Sequence, residues 1–319
     1  MKIVSPRRLH TAGVVGINAR NAEYVMRYNQ RKLYPLVDDK LQTKRLAERA
    51  GMAVPDLYGV VRTQRDVQRL HETLRDLDGF VMKPARGSGG DGIVVIKDVS
   101  PKGLRRHDGR IMTFSEARYH ASTTLSGQYS LAGIPDQMMI EYRVRFDPLF
   151  ERVAYQGIPD IRIIVFQGFP VMSMVRLPTR QSDGKANLHQ GAIGVGIDIA
   201  SGVTRSGSWG NDVVSEHPDT GFPIAGLTIP GWQDILRLAA RCHDITGLGY
   251  LGVDIVLDKD RGPLILELNA RPGLNIQIAN ACGLGTRLAR IEALGGDQAT
   301  VEDRLAWSKD VFATDIKPT

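Results

Sequence analysis

The stretch GVDIVLDKDRGPLILELNARPG at 252–273 decides the fold. Two apolar, β-branched runs flank a charged, glycine-containing turn at 258–263, the pattern of an antiparallel strand pair. Side chains alternate along a strand, so Glu267 and Asn269 project from one face while Leu266 and Leu268 go to the other. Pairing the strands through the turn sets Asp254 about opposite Glu267, on that same face. Two carboxylates and an amide oxygen then converge. Such hard oxygen donors suit Mg2+ (or Mn2+), whose shell phosphate oxygens and water would complete. Without a cation, carboxylates packed among apolar neighbours repel each other and lose hydration, so the alternative reading opens this face to solvent.

Upstream, VMKPARGSGGDGI at 81–93 holds Gly87-Ser88-Gly89-Gly90-Asp91-Gly92, a literal G-x-G-x-x-G. A dinucleotide fingerprint needs a helix opening at that loop, but IVVIK follows, a strand. A Walker A loop fails too, since no Gly-Lys-Ser/Thr follows. Strand, glycine loop and strand describe a hairpin whose free backbone N–H groups can fold over phosphates; the plainer alternative is a long surface hairpin. Lys83 closes an apolar strand directly before the loop, within reach of a nucleotide phosphate. Lys40, in Asp38-Asp39-Lys40, opens a helix where the macrodipole disfavours a cation unless an anion binds; alone, it reads equally as a solvated lysine beside a capping aspartate.

The rest of the chain alternates helical and strand periods, a mixed α+β pattern without repeats. Helices are expected at 20–33, 40–50, near 63–77, at 115–126, at 231–246 and from Asn275 onward. Strands are expected at 57–62, 79–83, 93–97, 138–144, 161–166, 171–177, 250–257 and 263–269. Residues 179–191 (TRQSDGKANLHQG) have little apolar content and read as a mobile loop. A lobe boundary falls near Val144, giving a short N-terminal segment 1–39, a lobe 40–143 carrying the glycine loop, and a lobe 144–319 carrying the carboxylate strands.

Composition excludes several classes. Among 319 residues, 42% hydrophobic content can bury a core without disulfide or metal staples. Cys242 and Cys282 form neither a C-x-x-C pair nor a zinc spacing, which points to a reduced, cytoplasmic setting. No apolar run approaches the roughly 20 residues of a membrane-spanning helix, and the first ten residues lack the core of a signal peptide. The formal charge of +6 is 41 Lys and Arg against 35 Asp and Glu, the arginines occurring along the chain rather than in one block. With no aromatic-interleaved basic stripe, nucleic acid is a poor candidate partner, and a polyphosphate cleft would also draw positive charge.

Taken in order, DDK at 38–40, VMKPARGSGGDGI at 81–93, IEY at 140–142, DIR at 160–162, NLHQG at 187–191, GVDIV at 252–256 and ELNARPGL at 267–274 resemble the ATP-grasp superfamily, and most the α-L-glutamate ligases related to the ribosomal-protein glutamate ligase. The resemblance implies an α+β ATP-grasp fold, two lobes clamping ATP, with the usual N-terminal α/β domain reduced to a short helical segment. It places Lys40 and Lys83 on nucleotide phosphates, with Arg86, Gly87, Ser88, Gly89, Gly90, Asp91 and Gly92 as the flap. Glu141 and the backbone of Tyr142 would meet the adenine, Asp160 the ribose, and Lys185 and Asn187 the phosphates. Asp254, Glu267 and Asn269 match the Mg2+ ligands, and Arg162 matches a phosphate or carboxylate clamp. The chain departs from the glutamate ligases at Gln190, where a basic residue is usual, and at Arg271, where many relatives carry a small or neutral one.

The activity so implied is ATP-dependent joining of a carboxylate to an amine through an acyl phosphate, adding glutamate or another amino acid to an amine acceptor. A small amino acid, a peptide or a protein would serve as substrate. Competing readings are a small-molecule kinase and a non-catalytic nucleotide-binding module. Arg271, two residues past Asn269, is expected to leave on the metal-facing side, either clamping a substrate carboxylate or pairing with a metal-site carboxylate. His189 lies in the 179–191 loop as a candidate base, or as a solvent-facing histidine.

Overall fold

Short apolar runs bounded by glycine and proline become the strands of two antiparallel sheets in the computed structural model, which describes residues 4–87, 89–130, 133–295 and 299–313. The chain divides into two units. The smaller takes Asp39–Arg45 and Val54–Val144; the larger takes Met1–Asp38, Leu46–Ala53 and Arg145–Thr319.

In the smaller unit, β1 (Leu57–Val61), β2 (Phe80–Pro84), β3 (Val94–Ser100), β4 (Gly103–Arg106), β5 (Ile111–Met112) and β6 (Met138–Tyr142) form one sheet in the order β1-β6-β2-β3-β4-β5. β2 and β3 pair antiparallel, Met82 against Val94, so the glycine stretch joins neighbouring strands. Phe80, Met82, Ile96, Met138 and Ile140 share one sheet face and pack with Leu70, Leu74, Ala117 and Ala121 into the core. Each of the Phe, Met, Ile and Leu side chains contributes roughly 1.5–3 kcal/mol on burial, so this face sets the unit's stability. The Phe114–Leu125 helix belongs to that core and starts at a capping box in which Thr113 and Glu116 satisfy each other's backbone N–H. The helix expected near 63–77 is two pieces, Gln64–Gln68 and Leu70–Leu74, because Arg69 turns out of helical geometry (φ −90, ψ 6). β2 presents Val81 and Lys83 on the opposite sheet face, level with Glu141 and Met139 of β6.

In the larger unit, β7 (Asp160–Phe166), β8 (Phe169–Leu177), β9 (Ile193–Ile197), β10 (Thr204–Trp209), β11 (Asp212–Val214), β12 (Tyr250–Asp258) and β13 (Gly262–Asn269) form the sheet β11-β10-β9-β8-β7-β12-β13. β12 is buried at every position, which requires both its faces to be covered. The Trp232–Thr246 helix buries Ile235, Leu236, Ala239 and Cys242, and stops at the left-handed Gly247 (φ 68). Among the described residues, no helix is long and apolar enough to cross a membrane.

Two further expectations needed revision here. The helix read at 20–33 runs from Ile17 to Tyr28 through a π-helical turn over Arg20–Val25 and ends at the extended Asn29 (φ −113, ψ 108). Asn29 spends its carboxamide on strand ends: it donates to the Tyr250 carbonyl at 2.7 Å and the Ala270 carbonyl at 3.1 Å, and accepts from Tyr250 N at 2.8 Å. The stretch 179–191 is tied by its own polar side chains rather than left loose. Buried Thr179 and Ser182 each accept the other's backbone N–H, and Thr179 Oγ1 donates to the Gly191 carbonyl at 2.8 Å.

Candidate active site

The larger unit gathers its charged residues on one face of the β8-β7-β12-β13 region. β12 pairs Asp254 with Glu267 and Gly252 with Asn269 on β13, and on its other side pairs Asp254 with Arg162. Next along, β7 pairs Asp160 with Arg176. A bulge just beyond the Asp254–Glu267 pair adds Leu266 to β13, a device that re-aims side chains at such places. Gly252 is required: a Cβ there would meet the Pro272 ring at 2.6 Å, where the chain folds back after β13.

The side chains form a linked set. Arg162 grips Asp254 in a fork, Nε to Oδ1 at 2.7 Å and Nη2 to Oδ2 at 2.6 Å. Arg176 grips Asp160 in the same way and reaches Asp254 Oδ2 at 2.9 Å, with Asn269 Nδ2 3.4 Å from that oxygen. Asp254 and Asp160 are 3% and 5% exposed. Burial raises the Asp160 carboxyl to about 6, against the pull of Arg176 and with a further push from the charge on Asp254. At Asp254 burial also pushes upward, but Arg162 and Arg176 outweigh it and hold the group at about 2.

Asp254 is therefore a carboxylate at neutral pH and a competent oxygen donor. With Glu267 and Asn269 beside it, the donor set fits a hard divalent cation such as Mg2+. Among the described residues, no three His, Cys, Asp or Glu side chains make a self-contained metal site. A cation here would need further oxygens from a bound substrate or water.

Sequence reasoning missed Arg176. Its signal is a lone charge in the apolar strand FPVMSMVRL, since such a charge is buried only when paired.

The smaller unit holds a second charged set. Lys83 Nζ lies 2.5 Å from Glu141 Oε1, and Lys44 Nζ lies 3.1 Å from Oε2. All three side chains are at most 5% exposed. The expected adenine contact Glu141 thus has its carboxylate on two lysines, and the Tyr142 N–H donates to the Asp56 carbonyl at 2.8 Å. Lys44, also missed, follows Lys40 by one helical turn in the Lys40–Arg49 helix.

The glycine loop is pinned at both ends. Asp136 accepts the Arg86 N–H at 3.0 Å, Lys40 Nζ donates to the Gly87 carbonyl at 2.5 Å, and His120 Nε2 lies 3.0 Å from the Gly92 carbonyl. Arg86 also faces Asp39 at 3.3 Å. Gly89, Gly90 and Gly92 all take left-handed φ (66, 84 and 74), and a Cβ on Gly92 would strike the Tyr129 ring at 2.6 Å. Asp91 is exposed, and Ser88 lies outside the described residues.

Three further expected residues belong to the larger unit. Arg271 stands 5.1 Å over the Tyr34 ring and 3.8 Å from Asp38. Lys185 is half-buried, its N–H on the Ser182 carbonyl. Asn187 caps the Leu188–Gln190 turn by accepting the N–H of exposed His189 at 3.0 Å.

The chain matches the model of the family described as sugar-transfer associated ATP-grasp over residues 19–293. No curated protein matches. Among solved structures it is similar to the ATP-grasp ligase PsnB complexed with minimal precursor, at 14% identity and TM-score 0.45, covering 85% of this chain and 63% of that one. It is similar to the D-cycloserine synthetase DcsG at 15% and 0.46, covering 83% and 72%. A third is the D-alanine-D-alanine ligase from Coxiella burnetii, at 14% and 0.42, covering 86% and 59%. The chain thus spans 63% of the length of PsnB and 59% of the Coxiella ligase.

Proposed function

The chain belongs to the sugar-transfer associated ATP-grasp family, and from that premise we propose that it is an ATP-dependent carboxylate–amine ligase. It forms an amide through an acyl phosphate, joining glutamate or another amino acid to an amine acceptor. The observation that carries this reading is the placement of half-buried Glu267 and Asn269 beside buried Asp254, with the two forked arginines, Arg162 and Arg176.

Joining a carboxylate to an amine in water is uphill, so the carboxylate needs a better leaving group. Its oxygen attacks the γ-phosphorus of ATP and ADP departs; the amine then adds to the acyl phosphate, phosphate leaves with that oxygen, and the amine gives up a proton. Lys83, Lys44 and Lys40 hold nucleotide phosphates, and the backbone N–H groups of residues 86–92 fold over them. Glu141 keeps Lys83 and Lys44 aimed, and Tyr142 contributes main chain toward the base. Asp160 serves the ribose, while Lys185 and Asn187 approach the phosphates from their tied loop. Asp254, Glu267 and Asn269 would hold Mg2+, which when bound neutralises charge on the transferring phosphoryl group. Arg162 positions Asp254 and clamps the incoming anion. Arg271, exposed over Tyr34, takes the substrate's carboxylate.

The test is incubation with ATP, Mg2+ and a panel of amino acids, peptides and amino sugars, following ADP, phosphate and products by mass spectrometry. The family's link to sugar transfer is the reason to include amino sugars. A ligase releases ADP and phosphate together with an amide. ADP with a phosphorylated product and no free phosphate would instead identify a kinase.

A further inference from the structure

The chain's net charge is not spread evenly. Residues 1–33 hold seven Lys and Arg against the single acidic Glu23, a formal +6 that equals the net charge of the whole chain. The remaining residues balance. In the same segment apolar side chains face water: Leu9 is 41% exposed, Ile17 65% and Met26 68%.

The local structure adds a second observation. The Pro6–Thr11 helix (PRRLHT) buries no residue at all. A helix this short gains too little from its own hydrogen bonds to persist in water, so something should cover it. The segment that follows is anchored firmly. Gly13 accepts Gly285 N–H at 2.8 Å, and Gln277 bonds both the N–H (2.8 Å) and the carbonyl (3.0 Å) of Val15. Val14 N–H donates to the Leu9 carbonyl at 3.0 Å, and Ile278, next to Gln277, is 60% exposed. These bonds tie the backbone of exposed Leu9 and Val14 to the platform that carries exposed Ile278, and Arg7 and Arg8 are exposed next to Leu9 in the chain.

We propose that this N-terminal platform docks on an anionic lipid surface, the aliphatic side chains entering the headgroup boundary and the arginines pairing with lipid phosphates. Basic residues interleaved with exposed aliphatics are the footprint of such a surface. A nucleic acid would use the charge and leave the aliphatics in water. It would also seek aromatic stacking, yet Tyr24 is buried against Phe166 and Tyr250. The docking lies on the membrane rather than across it.

The experiment is co-sedimentation of the full chain with vesicles of phosphatidylcholine alone, or of phosphatidylcholine mixed with phosphatidylglycerol. Binding to the mixed vesicles, weak binding to the neutral ones and release by high salt are expected. Arg7→Gln with Arg8→Gln should lower the partition coefficient roughly thirtyfold. Leu9→Ser with Ile17→Ser should lower it roughly tenfold to a hundredfold. Both variants should keep the parent thermal midpoint and ATP turnover, since these side chains are exposed and outside the candidate site. No binding to the mixed vesicles, or equal binding to both kinds, overturns the proposal. So does an unaltered serine variant that binds a single-stranded oligonucleotide as well as vesicles, which would assign a general polyanion site.

Discussion

Replacing Glu141 by Gln keeps the shape of the side chain and removes its charge, leaving Lys83 buried without the carboxylate it faces at 2.5 Å. Lys44 loses the same partner at 3.1 Å. At an effective dielectric of about 20, a unit-charge pair at these separations is worth roughly 5–7 kcal/mol, before the opposing repulsion between the lysines returns part of it. Removing one member of a buried pair typically costs about 3–5 kcal/mol, because the remaining charge keeps its desolvation penalty. The thermal midpoint of the nucleotide-free protein should fall by roughly 6–20 °C. A polyphosphate should reverse much of this, since its oxygens offer the ammonium groups a new counter-charge. The assay is a thermal melt of parent and variant with and without ATP. Midpoints within about 2 °C of each other without ATP would show that the lysines do not depend on Glu141. An ATP-induced rise no larger in the variant than in the parent would refute the link between that carboxylate and the phosphate site.

Glu267→Gln should cut ADP formation at least about a hundredfold while changing stability by less than about 1 kcal/mol, because Glu267 is half-buried and its substitute isosteric; undiminished turnover removes the metal assignment. Arg271→Ala should raise the KM for the carboxylate substrate roughly tenfold to a hundredfold with an unaltered Mg2+ requirement. Lysine there should recover only part, lacking the fork; an unaltered KM assigns the side chain to a structural role beside Tyr34 and Asp38. Burial holds His120 below its ordinary pKa of 6.5, so the unfolded chain takes up the proton first. The stability it carries is complete above pH 6.5 and is lost as pH falls through the lowered folded value. His120→Gln should flatten that loss in urea titrations taken from neutral to acid pH; an unchanged slope places the titration elsewhere.

The β12–β13 pair was legible because its signal is local. Glu267 and Asn269 sit two apart in an apolar run, and a short turn fixes the register that sets Asp254 opposite Glu267. Lys83 announced itself likewise, as a charge closing an apolar strand. Arg176 and Lys44 were not foreseen because their partners come from other elements: Asp160 lies one strand away, and Glu141 lies far along the chain. β9 and β10 escaped because IGVGI alternates glycine with its apolar residues and TRSGSW has little apolar content; pairing with neighbours, not propensity, makes them strands. The loop at 179–191 looked loose because composition does not reveal that Thr179 and Ser182 would satisfy each other's backbone.

The central claim is that a carboxylate is activated by phosphoryl transfer and then captured by an amine. Its most direct test follows one oxygen atom. Amino acids carrying heavy oxygen in the carboxylate, supplied with ATP, Mg2+ and hydroxylamine in place of the natural amine, should yield a hydroxamate and inorganic phosphate containing one heavy oxygen per molecule. Phosphate free of the label, or ADP formation without hydroxamate for every carboxylate tried, would contradict the account.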